Sequence, residues 1–184
     1  MKRLILTATA LCCLLTASAQ SSPAGKARVA EIRKMYAEAK KSIETSQKQA
    51  KEGLPSNETV VDSNYMLPGS GPGKCVTHYY YSLEFDETLG RYFFKPYFVT
   101  NSYNVAVNKY YQEFLYDDEG NLVFYYEKND GNETRLYFGS EEQGGTDGLV
   151  HEINSNGRTA EPWLAHRIGD ELTSAFHFLM NREF

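Results

Sequence analysis

Cysteine is scarce in this sequence. Three occur in 184 residues, and Cys12 and Cys13 both sit in the first nineteen, so Cys75 is the single thiol beyond that segment. With the segment removed, an internal disulfide is excluded. Long apolar runs are equally scarce. Outside Leu4 to Leu15 nothing approaches the roughly 20 residues that a spanning helix needs. Basic runs are missing too: none beyond the first nineteen residues is longer than Arg33-Lys34 or Lys40-Lys41. The formal charge is −5, and without Lys2 and Arg3 it falls to −7. A chain this acidic lacks the electrostatic footprint for phosphate backbones, so nucleic acid is not expected as a partner.

The motifs that dictate a reaction are also absent. There is no Gly-rich phosphate cradle, no nucleophile elbow and no His-Glu-x-x-His helix. No cofactor is expected.

The chain opens as an export leader. Lys2-Arg3 supplies the positive start, Leu4 to Leu15 the short apolar run, and Ala17-Ser18-Ala19 the small-residue cleavage site. Cleavage near Ala19 predicts a periplasmic or secreted protein without a membrane span. A lipidated start is disfavoured by the bulk of Leu11 before Cys12. About 165 residues then remain, the size of one domain. The expected organisation is a leader over 1–19 and a single domain over 20–184.

Ser22-Pro23 is a helix start, a capping hydroxyl before the ring that suits the first helical position. Val29, Ile32, Tyr36, Ala39 and Ile43 recur at steps of three and four and form one apolar stripe. The stripe ends near Ser46, and the helix must stop by Gly53 and Pro55. From Asn57 to Ile153 the period changes to two. Strands are predicted at Glu58 to Leu67, Lys74 to Phe85, Arg91 to Val99, Val105 to Tyr116, Leu122 to Lys128, Glu133 to Phe138 and Leu149 to Ile153. Pro96 cannot donate to a ladder, so it marks an edge or a bulge. Asp86 to Arg91, Asp117 to Asn121 and Asn154 to Arg158 open with Asp or Asn and close with Gly and a polar residue, as tight hairpins do. Pro68 to Gly73 and Gly139 to Gly148 read as longer loops. Leu164, Ile168, Leu172, Ala175, Phe176 and Leu179 then restore a helical stripe, with Gly169 as a break after which Asp170 caps a second piece. The expected fold is α+β: an antiparallel meander of six or seven strands with an N-terminal and a C-terminal helix on one face.

Two stretches carry a resemblance, Tyr65-Met66-Leu67-Pro68-Gly69-Ser70-Gly71-Pro72 and Phe114 to Tyr126 with its Tyr116-Asp117-Asp118-Glu119-Gly120 turn. With the short amphipathic first helix, the Glu133-Thr134-Arg135-Leu136-Tyr137-Phe138 strand and the last helix, they resemble a group of uncharacterised exported proteins of Bacteroidetes bacteria. The likeness covers most of the chain beyond its leader and implies export. It implies no activity.

Candidate chemistry is thin. His166, Asp170, Thr173 and His177 share a helical face, but His166 and His177 are separated by about 16 Å of rise, too far for one ion. Their face opposes the apolar stripe and reads as solvated. Cys75 and His78 point to opposite faces of one strand and cannot pair locally. Cys75 shares the apolar face of its strand and is expected in the core, inert to thiol reagents. Asp117 to Asn121 lacks the spacing of a calcium loop and reads as a turn.

Aromatics are what the sequence has in abundance, with 14 Tyr and 10 Phe. Tyr79-Tyr80-Tyr81, Tyr92-Phe93-Phe94, Tyr97-Phe98, Tyr110-Tyr111 and Phe124-Tyr125-Tyr126 place rings on both faces of their strands. If both helices cover one face, the rings on the other must contact something else, and tyrosine suits such contacts. The expected function is therefore a non-catalytic exported binding or interaction module with Tyr80, Tyr92, Phe94, Tyr110 and Tyr125 as ligand-contacting residues. A peptide, a glycan or another envelope protein would be the partner. The alternative is a small hydrolase-like envelope enzyme that joins His78 or His151 with carboxylates in a cleft.

Overall fold

A computed structural model describes residues 22–88, 90–140, 148–155 and 161–181. The leader with its cleavage site, Cys12 and Cys13, residues 141–147 of the second predicted loop and residues 156–158 of the third predicted hairpin lie outside them.

Helix α1 spans Pro23–Lys51, and Ser22 caps it through a 3.0 Å bond from the Gly25 N–H to the Ser22 hydroxyl. It runs past Ser46, where the apolar stripe ends, because nothing in Gln47 to Lys51 breaks a helix and Gln47 finds a partner in the Tyr80 hydroxyl at 3.2 Å. Seven strands follow: β1 Glu58–Leu67, β2 Gly71–Asp86, β3 Arg91–Val105, β4 Asn108–Tyr116, β5 Leu122–Asn129, β6 Asn132–Phe138 and β7 Leu149–Asn154. They form one sheet in sequence order, each pair antiparallel, and α2 (Pro162–Met180) closes the described chain. The predicted meander is therefore the fold. No helix among the described residues is long and apolar enough to cross a membrane.

The strand boundaries differ most from the sequence reading in two places. β3 continues to Val105 and turns back through Ala106 and Val107, where the sequence offers neither Gly nor Asn; Ala106 takes φ 53°, and the Asn104 side-chain amide bonds its carbonyl at 3.2 Å. The loop expected over Pro68 to Gly73 shrinks to a turn, because β2 begins at Gly71 and the Tyr65 ring occupies the space a Cβ at Gly73 would need. Pro96 sits at a bulge as its missing N–H requires: Tyr80 pairs with Phe98 and Tyr81 with Pro96, which leaves Tyr97 as the extra residue.

The helices do not share a face. α1 buries Val29, Ile32, Ala39 and Ile43 against Tyr80, Phe98, Leu115, Phe124 and Tyr137, whereas α2 buries Ala165 and Phe176 against Tyr79, Val99, Phe114, Tyr125 and Leu136. These sheet residues are sequence neighbours in adjacent pairs, one pointing to each side. The expectation of one covered face fails for that reason: the central strands are apolar on both sides, and each side needs its own layer.

Helix α2 is also continuous. Gly169 is buried, and a Cβ there would lie 3.3 Å from the Tyr116 hydroxyl and 3.4 Å from Leu122. The glycine lets the helix approach the sheet and does not interrupt it. Packing through Gly169 centres the stripe on the buried Ala165, Gly169 and Phe176, with Ile168, Leu172 and Met180 half-buried beside them, so Ala175 and Leu179 from the predicted stripe are exposed. Both helices cover the end of the sheet near Tyr116 and Leu122, and β2 to β6 project beyond them toward the hairpins at Ala106-Val107 and Asp130-Gly131.

Candidate functional site

Where α1 crosses the sheet, a recess of about 470 Å³ opens, lined by Arg33, Tyr36, Tyr111, Glu113, Tyr126 and Arg135, with the Phe124 and Tyr137 rings behind them. Register explains the gathering. Glu113, Tyr126 and Arg135 lie side by side on β4, β5 and β6, and Tyr111 sits two residues before Glu113 on the same face. Helical spacing brings Arg33, Tyr36 and Lys40 over them.

Glu113 is 4% exposed, deep enough that a carboxylate needs partners. It has three: the Tyr36 hydroxyl donates at 2.6 Å, the Tyr111 hydroxyl at 2.7 Å and the Lys40 ammonium at 3.1 Å. Burial first, then the bond to Glu113, pushes the Tyr36 and Tyr111 phenols far above their ordinary range. Both therefore stay protonated and keep donating at any physiological pH. Glu113 organises the recess and has little capacity left for a ligand.

The cations differ. Arg135 bonds Glu133 at 2.6 Å and lies 5.2 Å from the Tyr126 ring centre. Arg33 lies 5.7 Å from the Tyr137 ring centre and has no carboxylate partner among the described residues. Both guanidiniums rest on ring faces, which holds them without consuming their donors.

Tyr111 also lines a second, more open recess of about 800 Å³, reaching toward the hairpins past Ser102, Tyr103, Val107 and Tyr110. Its cations are Lys74, Lys109 and Lys128. Lys74 pairs with Asp62 at 2.9 Å; Lys109 and Lys128 have no carboxylate partner among the described residues, although Asp130 stands at the rim.

The five residues singled out from the sequence are not brought together. Tyr80 is buried under α1. Tyr92 is exposed beside Phe85, with ring centres 5.0 Å apart, and Phe94 meets Tyr81 edge-on at 5.3 Å. Tyr125 is buried on the α2 face with its hydroxyl on Glu127 at 2.7 Å. Tyr110 stacks on Tyr103 at 4.8 Å and lines the second recess. Sequence reasoning missed Arg33, Tyr36, Tyr111, Glu113, Tyr126 and Arg135 as a set. One signal was present: Glu113 is a lone carboxylate in the Phe- and Tyr-rich strand Tyr110-Tyr111-Gln112-Glu113-Phe114-Leu115-Tyr116.

On the opposite face a hydrogen-bonded ladder crosses four strands. Cys75 and Thr77 point to the Asn101 oxygen at 3.1 and 3.0 Å, and the Asn101 amide donates to Gln112 at 3.2 Å. The Gln112 amide then donates to the Tyr125 hydroxyl at 3.0 Å and to Glu127 at 2.9 Å. Cys75 was expected fully buried among apolar side chains; it is half-buried, with its sulfur in this polar ladder.

The histidines are dispersed. His78 bonds Glu58 at 2.7 Å, His151 and His166 lie against the Tyr137 and Phe138 rings, and His177 bonds Asn181 at 2.8 Å. No group of three His, Cys, Asp or Glu among the described residues is arranged to hold a metal. No protein-family model matches this chain, and no curated protein or solved structure matches it either.

Proposed function

We propose that the chain is an exported, non-catalytic binding module whose ligand enters the recess between α1 and the sheet. The observation that carries this reading is the pair of guanidiniums, Arg33 and Arg135, seated on tyrosine faces beside an open cavity of about 470 Å³. Concave sites with a few fixed polar groups among rings are the usual form of a ligand pocket. The reading of export rests on the leader-like start, Lys2-Arg3 before the apolar run Leu4 to Leu15 and Ala17-Ser18-Ala19. The aromatic richness serves this function locally, through Tyr36, Tyr111, Tyr126 and Tyr137; most of the other rings are consumed by the two cores. No specific observation favours the hydrolase reading, since the contact of His78 is with one carboxylate, Glu58.

The test is a screen of the full chain against immobilised peptides, glycans and envelope extracts, with Tyr126→Ala as the control. A ligand whose capture drops at least about tenfold with Tyr126→Ala, at an unchanged melting temperature, supports the site. Capture that is indifferent to this substitution, or no capture at all, removes the reading.

A further inference from the structure

Resting on that binding site, we infer that its ligand is an acidic oligosaccharide, with a uronate carboxylate between Arg33 and Arg135 and the chain running across Tyr111 toward Lys109 and Lys128. The two recesses share Tyr111 and form one track on one face of the sheet. Lys128 stands beside Tyr111 on the next strand, and Lys109 lies two residues before Tyr111. Arg135 is beside Tyr126, two residues from Lys128 on the same face. Arg135, Lys128 and Lys109 are therefore successive diagonal neighbours, roughly 7 to 8 Å apart at the backbone.

A line of cations spaced in this way fits a ligand with repeated negative charge better than a single small anion. The molecule as a whole is acidic, at −5, so cations gathered on this track are a local feature. Arg33, Lys109 and Lys128 have no carboxylate within ion-pair distance among the described residues, although Glu133, which bonds Arg135, stands opposite Lys128 in the ladder. Glu133 occupies Arg135 and a ligand carboxylate would compete with it.

Two observations choose a sugar over an acidic peptide. The track runs over β4, β5 and β6, which have hydrogen-bonded neighbours on both sides, so an extended peptide would find no free backbone groups to pair with. What the track does present is the ring faces of Tyr111 and Tyr126 and the Ser102 hydroxyl, the Tyr111 hydroxyl and the Asn104 amide being engaged with Glu113 and with Lys74 and Ala106. Sugars offer apolar C–H faces to rings and hydroxyls to a partner such as Ser102.

The experiment is calorimetric titration of the full chain with four probes: an oligogalacturonate, its methyl ester of the same length, a neutral oligosaccharide and poly-glutamate. Binding of the oligogalacturonate is expected, weakening with added salt, and at least about tenfold weaker for the methyl ester. Arg33→Ala and the double substitution of Lys109 and Lys128 to Ala should each reduce it by about tenfold or more. All three side chains are on the surface, and unchanged melting temperatures would establish that folding is intact. Equal binding of the methyl ester or the neutral sugar would overturn the acidic assignment and leave the binding module standing. Preference for poly-glutamate would overturn the sugar assignment. Failure of all four probes overturns this inference, and the Tyr126→Ala screen then decides separately whether the binding module survives.

Discussion

At the scale of single residues, buried polar groups reveal most about how this protein is specified. Gln112 is 1% exposed and sits at the centre of the ladder, accepting from Asn101 and donating to Tyr125 and Glu127. Every donor points the same way, from Thr77 toward the Glu127 carboxylate. Aligned dipoles of this kind reinforce one another and hold the sheet register on a face where apolar packing is thin. Gln112→Leu keeps the volume and leaves the Asn101 amide without its acceptor. Stranding such a buried group costs about 1 to 3 kcal/mol. Urea unfolding should show that loss, and a neutral result would mean that the ladder contributes only satisfaction of its own members. None of this was legible in the sequence: Asn101, Gln112 and Glu127 are 11 and 15 residues apart, and only strand register makes them neighbours. Burial of Cys75 was misjudged for the same reason, since its cross-strand neighbourhood is polar.

At the scale of elements, periodicity was read well and chain reversals less well. Glu58–Leu67 was readable to the residue because alternation and flanking turn residues agree. The β3–β4 hairpin was hidden because Ala106 and Val107 carry no turn signature, and a long alternating run passes through them. α2 shows the converse. A glycine in a helical pattern signals either a break or a close approach, and the sequence does not distinguish them. Here the approach decides: the Gly169 carbonyl accepts the Tyr116 hydroxyl at 3.0 Å, with the helix backbone close against Leu122 and Phe114. Gly169→Ala adds helix propensity of up to about 1 kcal/mol but asks Tyr116 and Leu122 to give by tenths of an ångström. A net change within about 1 kcal/mol is expected. Gly169→Leu must push the helix off the sheet and should cost about 1 to 3 kcal/mol or more. Chemical denaturation of the pair checks this, and a harmless leucine would show that α2 does not dock through that point.

At the scale of the whole molecule, one sheet serves two cores, and tyrosine is what makes both possible. Its ring fills apolar space, while its hydroxyl reaches a polar partner, as Tyr36, Tyr116 and Tyr125 each do. This accounts for an aromatic content that looked like a surplus when one face was expected to be bare. It also makes the fold sensitive to alkali. Burial raises Tyr79 and Tyr80 from the ordinary 10 to about 12, and pushes Tyr36, Tyr111, Tyr116 and Tyr125 higher still. Because folding raises these values, the unfolded chain loses its phenolic protons first. The stability they represent is complete below about pH 10 and drains away as pH climbs toward and past 12. Between pH 7 and about 9 they should leave stability unchanged. In an alkaline titration, the phenolate absorbance of these six tyrosines should appear only near or above pH 12, together with loss of the far-ultraviolet dichroism of the sheet. Complete ionisation of all 14 tyrosines around pH 10 with the sheet intact would contradict the doubly covered sheet itself.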